Sequence, residues 1–353
     1  MPNPNRAFLL GPLLKGVSRS FYLTLRILPA GMRDPVGLAY LLARAADTIA
    51  DTSLIPPQQR LDLLLALRER VNSGKDGDDS SGTLSKRLAV EVASQQIDSG
   101  EKQLLESIGP ALDVLAQLQA SDRTAVQGIV TTLTQGMEFD LTTFPDERSG
   151  QVAALPTLAE LDRYTYLVAG CVGEFWTTMT DAHLPGTLKA PLDTMLRRGV
   201  RFGKGLQMVN VLRDCGKDLR IGRCYLPTEV LDRHELTVQL LLDPSNSLRA
   251  RPMLHELVRI ALDHFREATA YTFALPRTAI RLRLACLWPI LIGLETLALL
   301  VENDAWLDPA RVSKVNRNSV YRILWRSTAL VMSDTALRNW MDGITARIDT
   351  SLR

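Results

Sequence analysis

β-Strand patterning is almost absent from this sequence: no run of alternating β-branched residues is bounded by turn signals, which argues against a sheet-based fold. Histidine is scarce, with 4 in 353 residues, and the 4 cysteines (Cys171, Cys215, Cys224, Cys286) form no C-x-x-C pair and have no histidine at metal-ligand spacing. The sequence therefore offers no zinc site. It also has no G-x-G-x-x-G motif between a strand and a helix. Charge of one sign is missing too: the net charge is +2 and Lys and Arg are spread along the chain, which argues against a nucleic-acid partner. The opening Met1-Pro2-Asn3-Pro4-Asn5 is neither basic nor apolar enough for targeting, so a cytoplasmic protein with reduced thiols is expected. Only one long apolar run occurs, from Leu284 to Val301. It barely reaches bilayer length, contains Pro289 and Glu295, and follows Arg281 and Arg283. A buried core helix is expected there and no integral membrane anchor, while peripheral contact with a membrane stays open.

What is present is helical. The chain is 46% hydrophobic and 23% charged, enough to bury a large core without staples. Apolar residues recur at helical spacing, as in Leu61, Leu64 and Leu65, or Leu104, Ile108, Leu112 and Leu115. The breaks are short, at Ser53 to Pro57, Pro145 to Gly150, Pro185-Gly186 and Asp243 to Ser247. The stretch NSGKDGDDSSG, residues 72–82, reads as a flexible exposed loop within one domain. The expectation is a single all-α domain over 1–353.

Asp34-Pro35 resembles a helix start, with Asp as N-cap and Pro at the first helical position. In the following PVGLAYLLARAADTIAD the only charges are Arg44, Asp47 and Asp51. With Tyr40 they are spaced 4, 3 and 4, which is one helix face. All other positions are apolar, small or Thr, so the helix should be buried except for this stripe. Carboxylates four residues apart repel, more so where water is scarce, unless a cation compensates. A hard dication such as Mg²⁺ suits them, because it takes oxygen ligands and shares them with phosphates. Alone, the stripe also fits a solvated face with an Arg44–Asp47 ion pair.

The pattern recurs in GLQMVNVLRDCGKD, where Gln207, Asn210, Asp214 and Asp218 are spaced 3, 4 and 4 among apolar neighbours. Gly199, Gly203 and Gly205 would permit close helix packing at some expense of helix stability. Two such stripes are hard to explain as solvated faces. Basic residues lie beside both: Arg213 and Lys217, then Arg220 and Arg223, and Ser18-Arg19-Ser20-Phe21 before the first helix. Arg and Lys bind phosphate oxygens, Arg bidentately. Two carboxylate pairs facing one apolar cavity with these cations imply a lipid diphosphate substrate. The chemistry implied is metal-assisted ionisation to an allylic cation, which aromatic faces would stabilise.

The blocks SRSFYLTLRILP, AYLLARAADTIAD, DRYTYLVAGCVGEFW and GLQMVNVLRDCGKDLRIGRCYLP resemble the squalene/phytoene synthase family, in its order and at about its spacing. The resemblance implies a single all-α isoprenoid-synthase (class I terpenoid synthase) domain with a central cavity. It implies that Asp47, Asp51, Asp214 and Asp218 hold Mg²⁺ and diphosphate. Tyr40, Arg44, Gln207, Asn210, Arg213 and Arg223 match cavity-lining positions, and Ser18, Arg19, Ser20 and Phe21 match the family's SRSF signature near the diphosphate. Tyr164 matches the tyrosine opening the Y-x-x-x-VAG block, implying a part in the first half-reaction. Val168, Ala169, Gly170 and Gly173 are small residues that would admit close approach. The chain departs from many squalene-forming members at Ala50 and Lys217, where they carry an acidic residue, so an extra Mg²⁺ should bind less well. A counterpart of the C-terminal membrane anchor of eukaryotic members is not expected.

The family's first step joins two prenyl diphosphates head to head; one branch then reduces the product with NADPH, others lose a proton or add water. CLWPILIGLETLALL and the following VSKVNRNSVY resemble the squalene-forming branch, implying that Lys314 and Arg317, with Arg311 nearby, meet NADPH phosphates. The expected substrate is two molecules of farnesyl diphosphate, and the expected product is squalene, for sterol or hopanoid synthesis. Two alternatives stay open: a phytoene or dehydrosqualene synthase, and a non-catalytic helical lipid-binding protein.

Overall fold

The computed structural model describes residues 4–18, 21–73 and 80–353. Among them the only strands are Ala153–Ala154 (β1) and Arg223–Cys224 (β2), which pair in parallel with Ala153 opposite Arg223. Everything else regular is helical, as the periodicity predicts. By its contacts the chain falls into two compact units, residues 1–142 with 178–184, and residues 143–177 with 185–353.

The first unit is built on α1 (Ala30–Asp51), followed by α2 (Pro57–Ser73), a helix at Ser80–Arg87, α3 (Ser99–Glu106), α4 (Ile108–Gln117) and α5 (Ala120–Thr143). Leu38, Leu41, Leu42, Ala45, Ala46 and Ile49 of α1 are each at most 1% exposed. Burying each Leu or Ile contributes about 1.5–3 kcal/mol, so α1 is held by packing around nearly its whole girth. α1 begins earlier than Asp34-Pro35 suggests. Pro29 is its N-cap residue and its carbonyl accepts from Met32 and Arg33, so Pro35 lies inside the helix. Asp34 is spent on an ion pair with Arg6 instead of capping. The loop expected at 72–82 is narrower: Asn72 and Ser73 close α2 and Ser80–Gly82 open a helix, with 74–79 outside the described residues.

The second unit holds α6 (Leu158–Thr165), a π-helical turn (Tyr166–Gly170), α7 (Cys171–His183, whose end belongs to the first unit), α8 (Leu192–Asp218), α9 (Arg251–Phe273), α10 (Ile280–Val301), α11 (Arg317–Leu330) and α12 (Asp334–Ser351). α8 is the hub. A Cβ at Gly199 would come within 2.5 Å of the Gly173 carbonyl oxygen, and one at Gly203 within 2.0 Å of that of Ala169. These glycines exist for backbone contact, as their spacing suggests. α10 has the length and apolarity to cross a membrane, yet 72% of its most apolar window is buried. Its Glu295 receives Arg347 of α12 at 2.6 Å.

Candidate active site

The first stripe lies along α1. Tyr40, Arg44 and Asp47 are partly buried, whereas Asp51 is exposed in the last helical position. Arg44 pairs through Nη1 with Asp47 and through Nη2 with Glu101 at 2.6 Å. Burial and the neighbouring Asp51 carboxylate push the Asp47 carboxyl up to about 6, against the pull of Arg44. Such repulsion is what a hard dication relieves, and two carboxylates one turn apart are a donor set that would suit Mg²⁺. Among the described residues no three His, Cys, Asp or Glu side chains group as a self-sufficient metal cage. Tyr40 donates to the Val17 carbonyl at 3.4 Å, tying the stripe to the helix Leu14–Ser18, whose Ser18 is buried. Arg19 and Ser20 lie outside the described residues; Phe21 opens the helix Phe21–Ile27.

The second stripe closes α8. Asn210 donates to Gln207 Oε1 at 3.2 Å, as their i, i+3 spacing allows. Arg213 grips Asp214 with two nitrogens, Nε at 3.0 Å from Oδ1 and Nη2 on Oδ2. Asp218 is the last residue of α8, beside the buried Cys215 and Cys224, whose thiols are pushed up by loss of water, Cys224 to about 12. These thiols stay protonated and inert; all four cysteines are free and buried. After Asp218 the chain makes one 3₁₀ turn and reverses at Gly222, φ 85°, where a side chain would also crowd the Gln151 carbonyl at 2.7 Å. Arg223 then enters β2, and Tyr225 follows. Tyr225 stacks on Tyr164 with centroids 4.6 Å apart and meets the edge of Phe144 at 5.0 Å. Tyr164 is 5% exposed, in the last turn of α6, two residues before the π turn begins.

A family model described as squalene/phytoene synthase matches residues 14–318. The chain belongs to the squalene/phytoene synthase family. Among curated relatives, a bifunctional lycopene cyclase/phytoene synthase of Colletotrichum graminicola is 29% identical over 71% of this chain and 39% of its own length. Squalene synthase BSS of Botryococcus braunii is 25% identical over 96% of the chain and 68% of its own. Squalene synthase of Nicotiana benthamiana is 26% identical over 86% and 66%. The chain thus spans well under half of the first relative and about two thirds of the others. Of solved structures, a TcSQS–ligand complex superposes with TM-score 0.71 at 21% identity, covering 99% of this chain and 98% of that one. A dehydrosqualene synthase complex gives 0.60 at 19%, covering 93% and 97%. These establish the all-α terpenoid synthase fold.

Seen as a squalene/phytoene synthase, the chain has further parts beside the second stripe. Gly216, between Asp214 and Asp218, abuts the segment after α10: a Cβ there would come within 2.4 Å of the Leu307 carbonyl oxygen. Asn303 fixes the same segment, donating to the Arg311 carbonyl at 2.8 Å and to Ser313 Oγ at 3.0 Å. Lys314 and Arg317 emerge exposed from it, Arg317 as the first residue of α11. Two residues with evident work escape sequence reasoning. Glu101 belongs to an Asp98-x-x-Glu101 pattern that reads as a helix start, and Asp98 does cap α3; its bond to Arg44 comes from packing alone. Tyr225 lies inside a quoted block but carries no spacing signal. A cavity of about 360 Å³ lined by Arg70, Leu112, Arg123 and Gln127 holds none of the predicted residues.

Proposed function

We propose that this chain is a squalene synthase that joins two farnesyl diphosphates head to head through presqualene diphosphate and then reduces the product to squalene. The observation that carries the reading is the pair of polar stripes ending in Asp47/Asp51 and Asp214/Asp218, in a chain whose residues 14–318 match the family. These aspartates would hold Mg²⁺, which would supply charge neutralisation for a departing diphosphate. Arg44, Arg213 and Arg223 take diphosphate oxygens, with Ser18, Arg19, Ser20, Tyr40, Gln207 and Asn210 completing the polar contacts and Phe21 beside them in the same signature. The Arg44–Asp47 and Arg213–Asp214 pairs keep each guanidinium beside its carboxylate until phosphate arrives. Tyr164, stacked on Tyr225, offers an aromatic face to the allylic cation and a phenol to pass its proton to diphosphate.

Lys314 and Arg317, both exposed, would meet the phosphates of NADPH, which would supply the hydride of the second half-reaction. Squalene is favoured because the relatives named squalene synthase align over 96% and 86% of the chain. A phytoene or dehydrosqualene synthase is the second reading, favoured by the 29% identity to the phytoene synthase relative. A cytoplasmic enzyme is the matching location. Incubation with farnesyl diphosphate and Mg²⁺, with and without NADPH, tests the reading. Squalene formed only with NADPH supports it, and dehydrosqualene or phytoene as main product with NADPH present contradicts it.

A further inference from the structure

α11 turns an unusual face to solvent. Tyr321 and Trp325, one turn apart, are 67% and 76% exposed, and Met332, just past the helix end, is 54% exposed. The opposite face is buried by Ile323 and Ser327, the latter accepting from Trp288 of α10 at 3.1 Å, so the orientation of α11 is fixed. Arg322 and Arg326 flank the aromatic pair and are exposed, Arg326 lying over the Trp340 ring at 4.3 Å. Residues 309–333 contain five Arg or Lys and no Asp or Glu. The flanking carboxylates are already occupied: Asp308 accepts from the Ala310 amide, and Asp334 from Arg277 and Arg283. Among the described residues none of the five cations forms an ion pair. Most of α11 also lies beyond residue 318, where the family match ends.

Large exposed aromatics on a monomer surface mark an interaction site. Trp and Tyr rings favour the headgroup level of a bilayer, and Arg beside them is attracted to anionic lipid. This face offers exposed aromatic rings edged by cations that have no carboxylate partner among the described residues. We propose that the Tyr321–Trp325–Met332 face, with Arg322 and Arg326, docks the protein peripherally on an anionic lipid bilayer. The inference stands on this face alone and does not depend on which product the enzyme releases.

Sedimentation of the full chain with vesicles of phosphatidylcholine, with and without phosphatidylglycerol, tests it. Binding to the anionic vesicles at low salt, released by added salt, is expected. R322Q/R326Q should weaken that binding roughly 30-fold, on the basis of about 1 kcal/mol per cation. Y321S/W325S should weaken it at least as much, with melting temperature and turnover of dispersed substrate unchanged in both variants. The proposal is overturned if the intact chain stays in the supernatant, if it binds neutral vesicles equally, or if both variants bind like the parent. A lipid-free dimer abolished by Y321S/W325S would overturn it too, assigning the face to a second copy.

Discussion

On α1 the aspartates sit on a helix packed around nearly its whole circumference, and the stripe holds an unrelieved repulsion: Asp47 beside Asp51, with Arg44 shared between Asp47 and Glu101. On α8 the aspartates sit on a helix pinned by backbone contact at Gly199, Gly203 and Gly216, and Asp214 is held two-handed by the adjacent Arg213. The same Asp-x-x-x-Asp spacing is thus held in one region against electrostatic strain and in the other by close packing. Changes of charge should therefore show at the first stripe, and changes of volume at the second.

The largest effect expected is common to both. Asp47→Asn and Asp214→Asn should each lower turnover by at least about 10²-fold, the scale for losing one preorganised charge-stabilising group. They should differ in stability. Asp47→Asn removes the repulsion and should raise the melting temperature of the metal-free protein at pH 8, where the strained carboxylate is ionised. Asp214→Asn leaves Arg213 without its partner and should not. Equal shifts in the two variants would erase the distinction.

Gly203→Ala would force a Cβ to within 2.0 Å of the Ala169 carbonyl oxygen. α8 or the π turn must shift, at a cost of about 1–3 kcal/mol or more, read as a lowered urea midpoint. A substitution of similar size on α1, Ala50→Gly, should change stability by only about 1 kcal/mol, the helix propensity difference.

His264 packs against Gly205 and accepts from Arg201 Nε at 2.7 Å; burial and that guanidinium push its imidazole down to about 4. Its folded pKa is thus below its unfolded value, and the folded state disfavours the proton. The stability it contributes is complete above about pH 6.5 and is lost as pH falls toward about 4, at most about 3 kcal/mol. His264→Gln should flatten that limb in thermal melts, and an unchanged acid slope would count against it. The smallest effect is at Glu101: Glu101→Gln frees one arm of Arg44 and should cost about 10-fold in activity, the lower end for a supporting contact. A loss equal to that of Asp47→Asn would make Glu101 more than a support.

Much of this was legible in sequence because helix faces are periodic: both stripes, the small-residue contacts and the buried α10 follow from spacing. What was not legible depends on partners distant in the chain. The start of α1 moved from Pro35 to Ala30 because Arg6 claims Asp34 and the Pro29 carbonyl closes the first turn. Tyr166–Gly170 forms a π turn where Gly170 meets Val200 and Lys204 of α8, a contact that no local pattern signals. The pairing of β1 with β2 involves two residues each, too few for any pattern. Glu101 reaches Arg44 across 57 positions, a separation that no local rule detects.

The claim that both stripes hold metal and diphosphate is tested most directly by calorimetric titration of Mg²⁺ with a non-ionising farnesyl thiodiphosphate into the parent, Asp47→Asn and Asp214→Asn proteins. The account predicts Mg²⁺-dependent binding in the parent, and a clear loss of it in each variant with helical content unchanged. Parent-like binding in either variant would contradict it.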